Sequence, residues 1–241
     1  MDHIHARKDR FEKDILLKVG VINPYYNIPE YMDLEDKFGI RSTFFFRTIY
    51  ENGIYEDYED DIRTLIRGGW EIGLHTDPSS INDESKIHQE KMKLEQLAKT
   101  QVRANRCHYL AFNKELPKKL QRLEFVYDSS LRKTKDRIDK QEMGYYLFDT
   151  LIEFPITIMD AYLFTYMKIT EDKILNVFKW TLDYSRKLSG NLGVITVIWH
   201  DNVLKMKGGR MYGSILEYLT SQQDIRIVRG IDLALIIRQR L

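Results

Sequence analysis

A chain of 241 residues with 43% hydrophobic and 12% aromatic content can bury a large core, which excludes a disordered protein. Lysine and arginine number 37 against 36 aspartates and glutamates, a formal net charge of +1, so the balance offers nothing to nucleic acid or to an anionic membrane. The one cysteine, Cys107, excludes an internal disulfide and a cysteine-built zinc cluster.

The opening "MDHIHARKDRFEK" is polar and lacks the apolar centre of a signal peptide. No window approaches the ~18 consecutive apolar residues that span a membrane. These features predict an intracellular, cytoplasmic protein folded as a single domain over residues 1–241. The mixed-sign runs "RKDRFEK" and "ELPKKLQR" read as solvated faces.

In chain order, "STFFF" reads as a buried strand and "EDYEDDIRTLIRGG" as a helix closed by glycine. "WEIGLH" is the next strand. "NDESKIHQEKMKLEQLAK" follows as a helix with an Asn or Asp cap and Ile87, Leu94 and Leu97 along one side, Met92 loosely with them. "VRANRCHYL" is a strand running into a loop, "KELPKKLQRLE" a helix and "FVYDSSL" a short strand. Residues 132–143 are polar without period and form an excursion. "LIEFPIT" and "AYLFTYM" read as extended, and "EDKILNVFKWTLDYSRKLSG" is the clearest helix. "GVITVIWH" is a continuous apolar run, as a strand covered on both faces would be. "GRMYGSILEYLTSQ" is a helix, "IRIVRG" a strand and "IDLALIIRQRL" a terminal helix. Repeated β-then-α units predict a parallel sheet covered by helices, and this many units can close into a barrel. Chemistry in such folds collects where the strands end.

Titratable residues stand at those ends. "WEIGLH" finishes in His75, "RCHYL" carries Arg106 and His108, and "ITVIWH" finishes in His200, followed by Asp201 and Asn202. A single histidine in such a place is more often part of a core, but independent core histidines have no reason to share one end. Neutral imidazole binds zinc and similar ions, and beside a carboxylate it can act as acid or base near neutral pH. Asp2, Asp77 and Asp201 are the local carboxylates; His88 sits in a charged helix and faces solvent. Neither a phosphate-binding glycine loop nor a nucleophile elbow is present in the sequence.

The order of "GIRSTFFF", "GWEIGLHTDPSS", "NRCHYLAF", "FVYDSSL" and "VITVIWHDN", with "EFPITIMDAYL" and "IRIVRGIDLA" after them, resembles the polysaccharide deacetylases of the NodB-homology, carbohydrate esterase family 4 group. The resemblance runs over nearly the whole chain and implies a distorted (β/α) barrel. It also implies a divalent metal, zinc by expectation, and hydrolysis of acetyl groups on a carbohydrate. On this resemblance His75 binds the metal, His200 is the acid, and Arg106 orients the base. Tyr109 and Trp199, with Tyr145, would stack on sugar rings.

The chain also departs from the family. Ser79 stands where the second metal histidine is expected, and His108, in place of a proline, or Asp77 could substitute for it. Asp2 matches at most the second aspartate of the first motif, as metal ligand and catalytic carboxylate, and the first strand is missing or truncated. Either a longer natural start supplies the base, or the product is a non-catalytic sugar-binding or vestigial member of the fold. A missing strand would expose a sheet edge that a homo-oligomer could cover.

Overall fold

The computed structural model describes residues 26–49, 58–189 and 193–240. Asp2, and the first strand expected before it, lie outside the described residues. From the start the elements are α1 (Ile28–Lys37), β1 (Thr43–Phe46), α2 (Glu59–Arg67), β2 (Glu71–Thr76), α3 (Glu84–Ala98), β3 (Ala104–Cys107), α4 (Leu116–Arg122) and β4 (Tyr127–Asp128). There follow β5 (Tyr146–Phe148), β6 (Leu151–Glu153), β7 (Ile156–Met159), α5 (Ile174–Ser189), β8 (Thr196–Ile198), α6 (Tyr212–Thr220) and α7 (Gly230–Arg238).

The ladders form a six-stranded sheet in the order β1-β2-β3-β4-β6-β5 and a two-stranded sheet of β7 and β8. All neighbours are parallel except β5, which runs antiparallel to β6. This is the α/β architecture that the β-then-α alternation predicts.

One local device repeats before the first four strands. Each of α1 to α4 ends with a residue in the left-handed region: Gly39 (φ 64°), Gly69 (φ 88°), Lys99 (φ 52°) and Glu124 (φ 61°). At three of them the amide three residues past the helix returns to its last turn, as Ile40 to Glu35 O, Trp70 to Leu65 O and Phe125 to Leu120 O, each 3.0 Å. This cap satisfies orphan carbonyls and turns the chain straight into the next strand.

Strand alternation then sorts the core. Phe44, Phe46, Ile72 and Leu74 pack under the outer helices, whereas Phe45, Ala104, Tyr127 and Ile152 line the other face with Ala234 and Ile237 of α7. Gly73 is required there, because a Cβ would lie 2.6 Å from the Phe45 ring.

Two buried glutamates tie the starts of the strands to helices. Glu35 accepts from Ser42 N (3.0 Å), Ser42 Oγ (2.8 Å), Trp70 Nε1 (2.6 Å) and Tyr212 Oη (2.7 Å), which joins α1, β1, β2 and α6. Glu71 Oε2 accepts from Thr43 Oγ1, Tyr127 Oη and the Ile231 amide at the start of α7. Burial pushes both carboxyls up, against the hydrogen bonds that hold them down.

Two elements differ from expectation. "AYLFTYM" is not extended: Tyr162–Tyr166 is a turn of π-helix, closed by Met167 N to Tyr162 O at 2.9 Å. Its aromatic composition favours a strand, but Asp160 Oδ1 receives the Ala161 amide at 2.6 Å and turns the chain. "IRIVRG" forms no ladder. Arg229 bonds Gly69 O at 2.9 Å and Gly230 N bonds Thr43 Oγ1 at 3.1 Å, so the segment docks α7 against the strand starts. The excursion over 132–143 is pinned by the buried Arg132, which donates to Ile156 O and Thr157 O, with Glu142 3.8 Å away.

Candidate active site

β2 and β3 are paired with His75 opposite Arg106. His75 is buried and its Nδ1 is 2.8 Å from Arg106 O, so Nδ1 carries the proton and Nε2 the lone pair. His108, one residue past β3, is also buried, and its Nδ1 stands 3.1 Å from His75 Nε2 with the rings edge to face at 5.0 Å. His75 and His108 are therefore in direct contact.

Arg106 is buried against the Phe45 ring at 4.2 Å and donates through Nε to Ser129 O and through Nη2 to Ser129 Oγ, both at 3.0 Å. Tyr109 stands beside His108, with ring centroids 3.9 Å apart, and is 80% exposed. Its φ of 56° and that of Leu110, 54°, are both left-handed, an uncommon state for such residues.

Asp77 is committed elsewhere. Its Oδ1 accepts from Ser79 N and Oγ, and its Oδ2 pairs with Arg47 Nη2 at 2.6 Å. Burial would raise its pKa, but the bonds from Ser79 and Arg47 win and hold it below the usual range. Glu90 of α3 accepts the Asp77 amide at 3.0 Å, and burial pushes it up to about 7.

The second sheet contributes another pair. His200, just past β8, presents Nδ1 to Asp160 Oδ1 at 2.5 Å, while its backbone amide donates to Asp160 Oδ2 at 2.8 Å. Tyr31 Oη holds the His200 carbonyl at 2.8 Å, and Asn27 holds that of Asp201 at 2.7 Å. The Tyr31 hydroxyl is pushed well up, by burial first and then by Asp160, Asp201 and Glu35. Sequence reasoning passes over Asp160, although it ends an apolar strand just as His75 and His200 do.

Trp199 is a correction. At 3% exposure it packs between Phe164 and Tyr212, and its Nε1 donates to Gly209 O at 3.0 Å, so its ring is not presented for stacking. Tyr145 is half-buried against the inner core. His88 is exposed, as its charged helix suggests.

The fold occurs in known structures. A Mycobacterium smegmatis protein described as a polysaccharide deacetylase superposes with TM-score 0.70 at 18% identity, covering 98% of this chain and 85% of its own. The chain has the polysaccharide deacetylase fold. The Puue allantoinase shares it, with TM-score 0.65 at 16% identity over 87% of this chain and 71% of its own. So does a carbohydrate esterase family 4 pseudoenzyme from Bacillus anthracis, with TM-score 0.53 at 12% identity over 86% of this chain and 60% of its own. No family model matches the sequence, and no curated protein does.

Among the described residues no group of three or more His, Cys, Asp or Glu is placed to hold a metal ion, and no helix is long and apolar enough to cross a membrane. Two imidazoles are placed to do so in part. Zinc–nitrogen bonds of ~2.0–2.1 Å in a tetrahedron separate two nitrogens by about 3.3 Å, close to the 3.1 Å between His75 Nε2 and His108 Nδ1. The backbone carbonyl behind His75 Nδ1 is the kind of outer partner that metal-bound histidines keep. Without an ion, the same spacing serves a hydrogen bond between the rings. The donor chemistry fits a borderline divalent ion.

Proposed function

We propose that the protein is a metal-dependent hydrolase that removes acetyl groups from a carbohydrate. The observation that carries the reading is the convergence of His75 Nε2 and His108 Nδ1 at 3.1 Å on a fold used by polysaccharide deacetylases. In this reading His75 and His108 hold a divalent ion, zinc by preference, with Asp2 as the carboxylate that completes the set. When bound, the ion supplies polarisation of the acetyl carbonyl and a lowered pKa for attacking water.

The protein's own groups supply the rest. His200, held by Asp160, donates the proton that the departing amine or alkoxide needs, and the carboxylate stabilises the ring while it is charged. Arg106, locked on Ser129, fixes the positive charge beside His75 and orients a carboxylate base. Tyr109 offers an exposed ring at the His108 side for a sugar face.

A second reading is a non-catalytic sugar-binding member of the fold. Ser79 occupies the place of the second metal histidine and bonds Asp77, and the fold includes a pseudoenzyme. Elemental analysis of the purified protein and of His75→Ala, alongside acetyl release from an N-acetylated oligosaccharide, separates the two. Near-stoichiometric metal that is lost in the variant, with turnover, supports the hydrolase. Absence of metal and of turnover in both samples rejects it in favour of the binding protein.

A further inference from the structure

Asp128 closes β4 and Glu153 closes β6, and the parallel register sets them opposite each other. Both are 0% exposed. One oxygen of each takes all the donors. Asp128 Oδ1 accepts from Asn105 Nδ2 at 2.8 Å and Ser130 Oγ at 2.7 Å. Glu153 Oε1 accepts the amides of Ser130 at 3.1 Å and Leu131 at 2.8 Å. Asp128 Oδ2 and Glu153 Oε2 are buried and receive no donor from any described residue. The two side chains are within hydrogen-bonding reach of each other.

Two ionised carboxylates cannot share such a place cheaply, since each loses water and each repels the other. Among the described residues neither carboxyl has an ion-pair partner close by. We propose that Asp128 and Glu153 share one proton, and that this carboxyl–carboxylate bond straps β4 to β6 and steadies the Ser129–Ser130 turn on which Arg106 rests. The link to Arg106 is direct, because Ser129 accepts from Arg106 Nε and Nη2 and Glu153 holds the next two amides.

The surrounding charges leave the pair to itself. Cys107 of β3 is the titratable neighbour, and burial followed by the field of Asp128 keeps its thiol up and neutral. On α4, Lys119 bonds Ile81 O and Arg122 bonds Glu84. Arg238 of α7 bonds the carbonyls of Val126 and Thr150, and Glu142 in the 132–143 excursion pairs with Arg132. Tyr127 of β4 turns its hydroxyl to Glu71. Burial pushes both Asp128 and Glu153 up. A raised acid adds stability that is complete below its ordinary range and lost as pH climbs through its raised value, so the strap loosens on the alkaline side.

The strap is independent of any hydrolase chemistry. Infrared difference spectra of the full chain at neutral pH, wild type minus Glu153→Gln and wild type minus Asp128→Asn, detect the proton. The expected result is one carboxylic-acid C=O band in wild type that each single variant loses, because the amide then donates and the remaining acid stays ionised. Melting curves add a second readout. Each single variant should lose less Tm than wild type as pH rises. The Asp128→Asn/Glu153→Gln double variant should melt below both, because an amide N–H must then face another donor. A band that persists in a single variant, a wild type without it, or a double variant as stable as the singles overturns the proposal. If one single variant does not fold, the other carries the test.

Discussion

Asp160 grips His200 twice, through Oδ1 to the ring Nδ1 at 2.5 Å and through Oδ2 to the backbone amide at 2.8 Å. One carboxylate thus fixes both where the imidazole sits and which nitrogen bears its inner proton. In Asp160→Asn the amide oxygen can keep the backbone bond, which turns the amide N–H₂ towards Nδ1 and disfavours the doubly protonated ring that an acid must be. The expected fall in kcat is roughly 10²–10⁴-fold, read as acetyl release, and the melting temperature should fall as well, because the amide N–H₂ then also faces the Ala161 amide that Oδ1 accepts. Equal turnover in the variant would remove His200 from the role of acid.

His108 allows a separate test of the metal reading. If His75 and His108 are both ligands, His108→Ala lowers metal affinity by more than the ~10–100-fold typical of losing an outer partner. Competition with a chromophoric chelator measures this. An unchanged affinity would mean that the 3.1 Å contact is a hydrogen bond between rings and nothing more.

Much of this arrangement is legible in the sequence, and its limits have physical causes. His75, Arg106 and His200 stand out because apolar runs stop at them, and the structure puts each at a strand end. Asp160 obeys the same rule but is hidden by "AYLFTYM", whose aromatics read as more strand, so the end of β7 cannot be seen. Trp199 is misplaced for the opposite reason. In a run as apolar as "GVITVIWH" the pattern does not say which way a side chain turns, and this one turns into the core. Glu35 reads as one more charge in "YMDLEDKF", although four donors from distant segments converge on it.

Glu35 should separate loss of charge from loss of acceptors. In Glu35→Gln the oxygen can keep the two N–H donors, Ser42 N and Trp70 Nε1, while the amide donates to the hydroxyls of Ser42 and Tyr212, which rotate to accept. Glu35→Ala strands all of them, at roughly 1–3 kcal/mol for each buried group left unsatisfied. Urea denaturation should show Gln near wild type and Ala severely destabilised. Equal losses would mean that the charge itself is what the site needs.

The left-handed caps offer a stabilising change. Glu124 performs at φ 61° what Gly39 and Gly69 perform before β1 and β2, and its side chain is exposed. Glu124→Gly should add up to ~1 kcal/mol by relieving the Cβ, partly offset by the freedom glycine gives the unfolded chain. Thermal melts decide it; a clear loss of stability would show that the Glu124 side chain contributes more than its backbone costs.

Glu90 gives a pH dependence with a defined sign. Burial raises it to about 7 from 4.5, against the bond from the Asp77 amide and the charge of Arg47. Its neutral form is the one the fold prefers. Its contribution to stability is therefore complete below 4.5, falls as pH rises through 7, and is flat above that. A shift of this size corresponds to something on the order of 3 kcal/mol across the window. Glu35, Glu71 and Glu153 are displaced in the same direction, so the wild-type slope is a sum and only the difference from a variant isolates Glu90. Glu90→Gln keeps an acceptor for the Asp77 amide without titrating. Denaturation midpoints at about pH 5 and about pH 8 should therefore differ less in the variant than in wild type. If the two proteins lose the same stability between those conditions, Glu90 does not change charge there, and the fall belongs to the other buried acids.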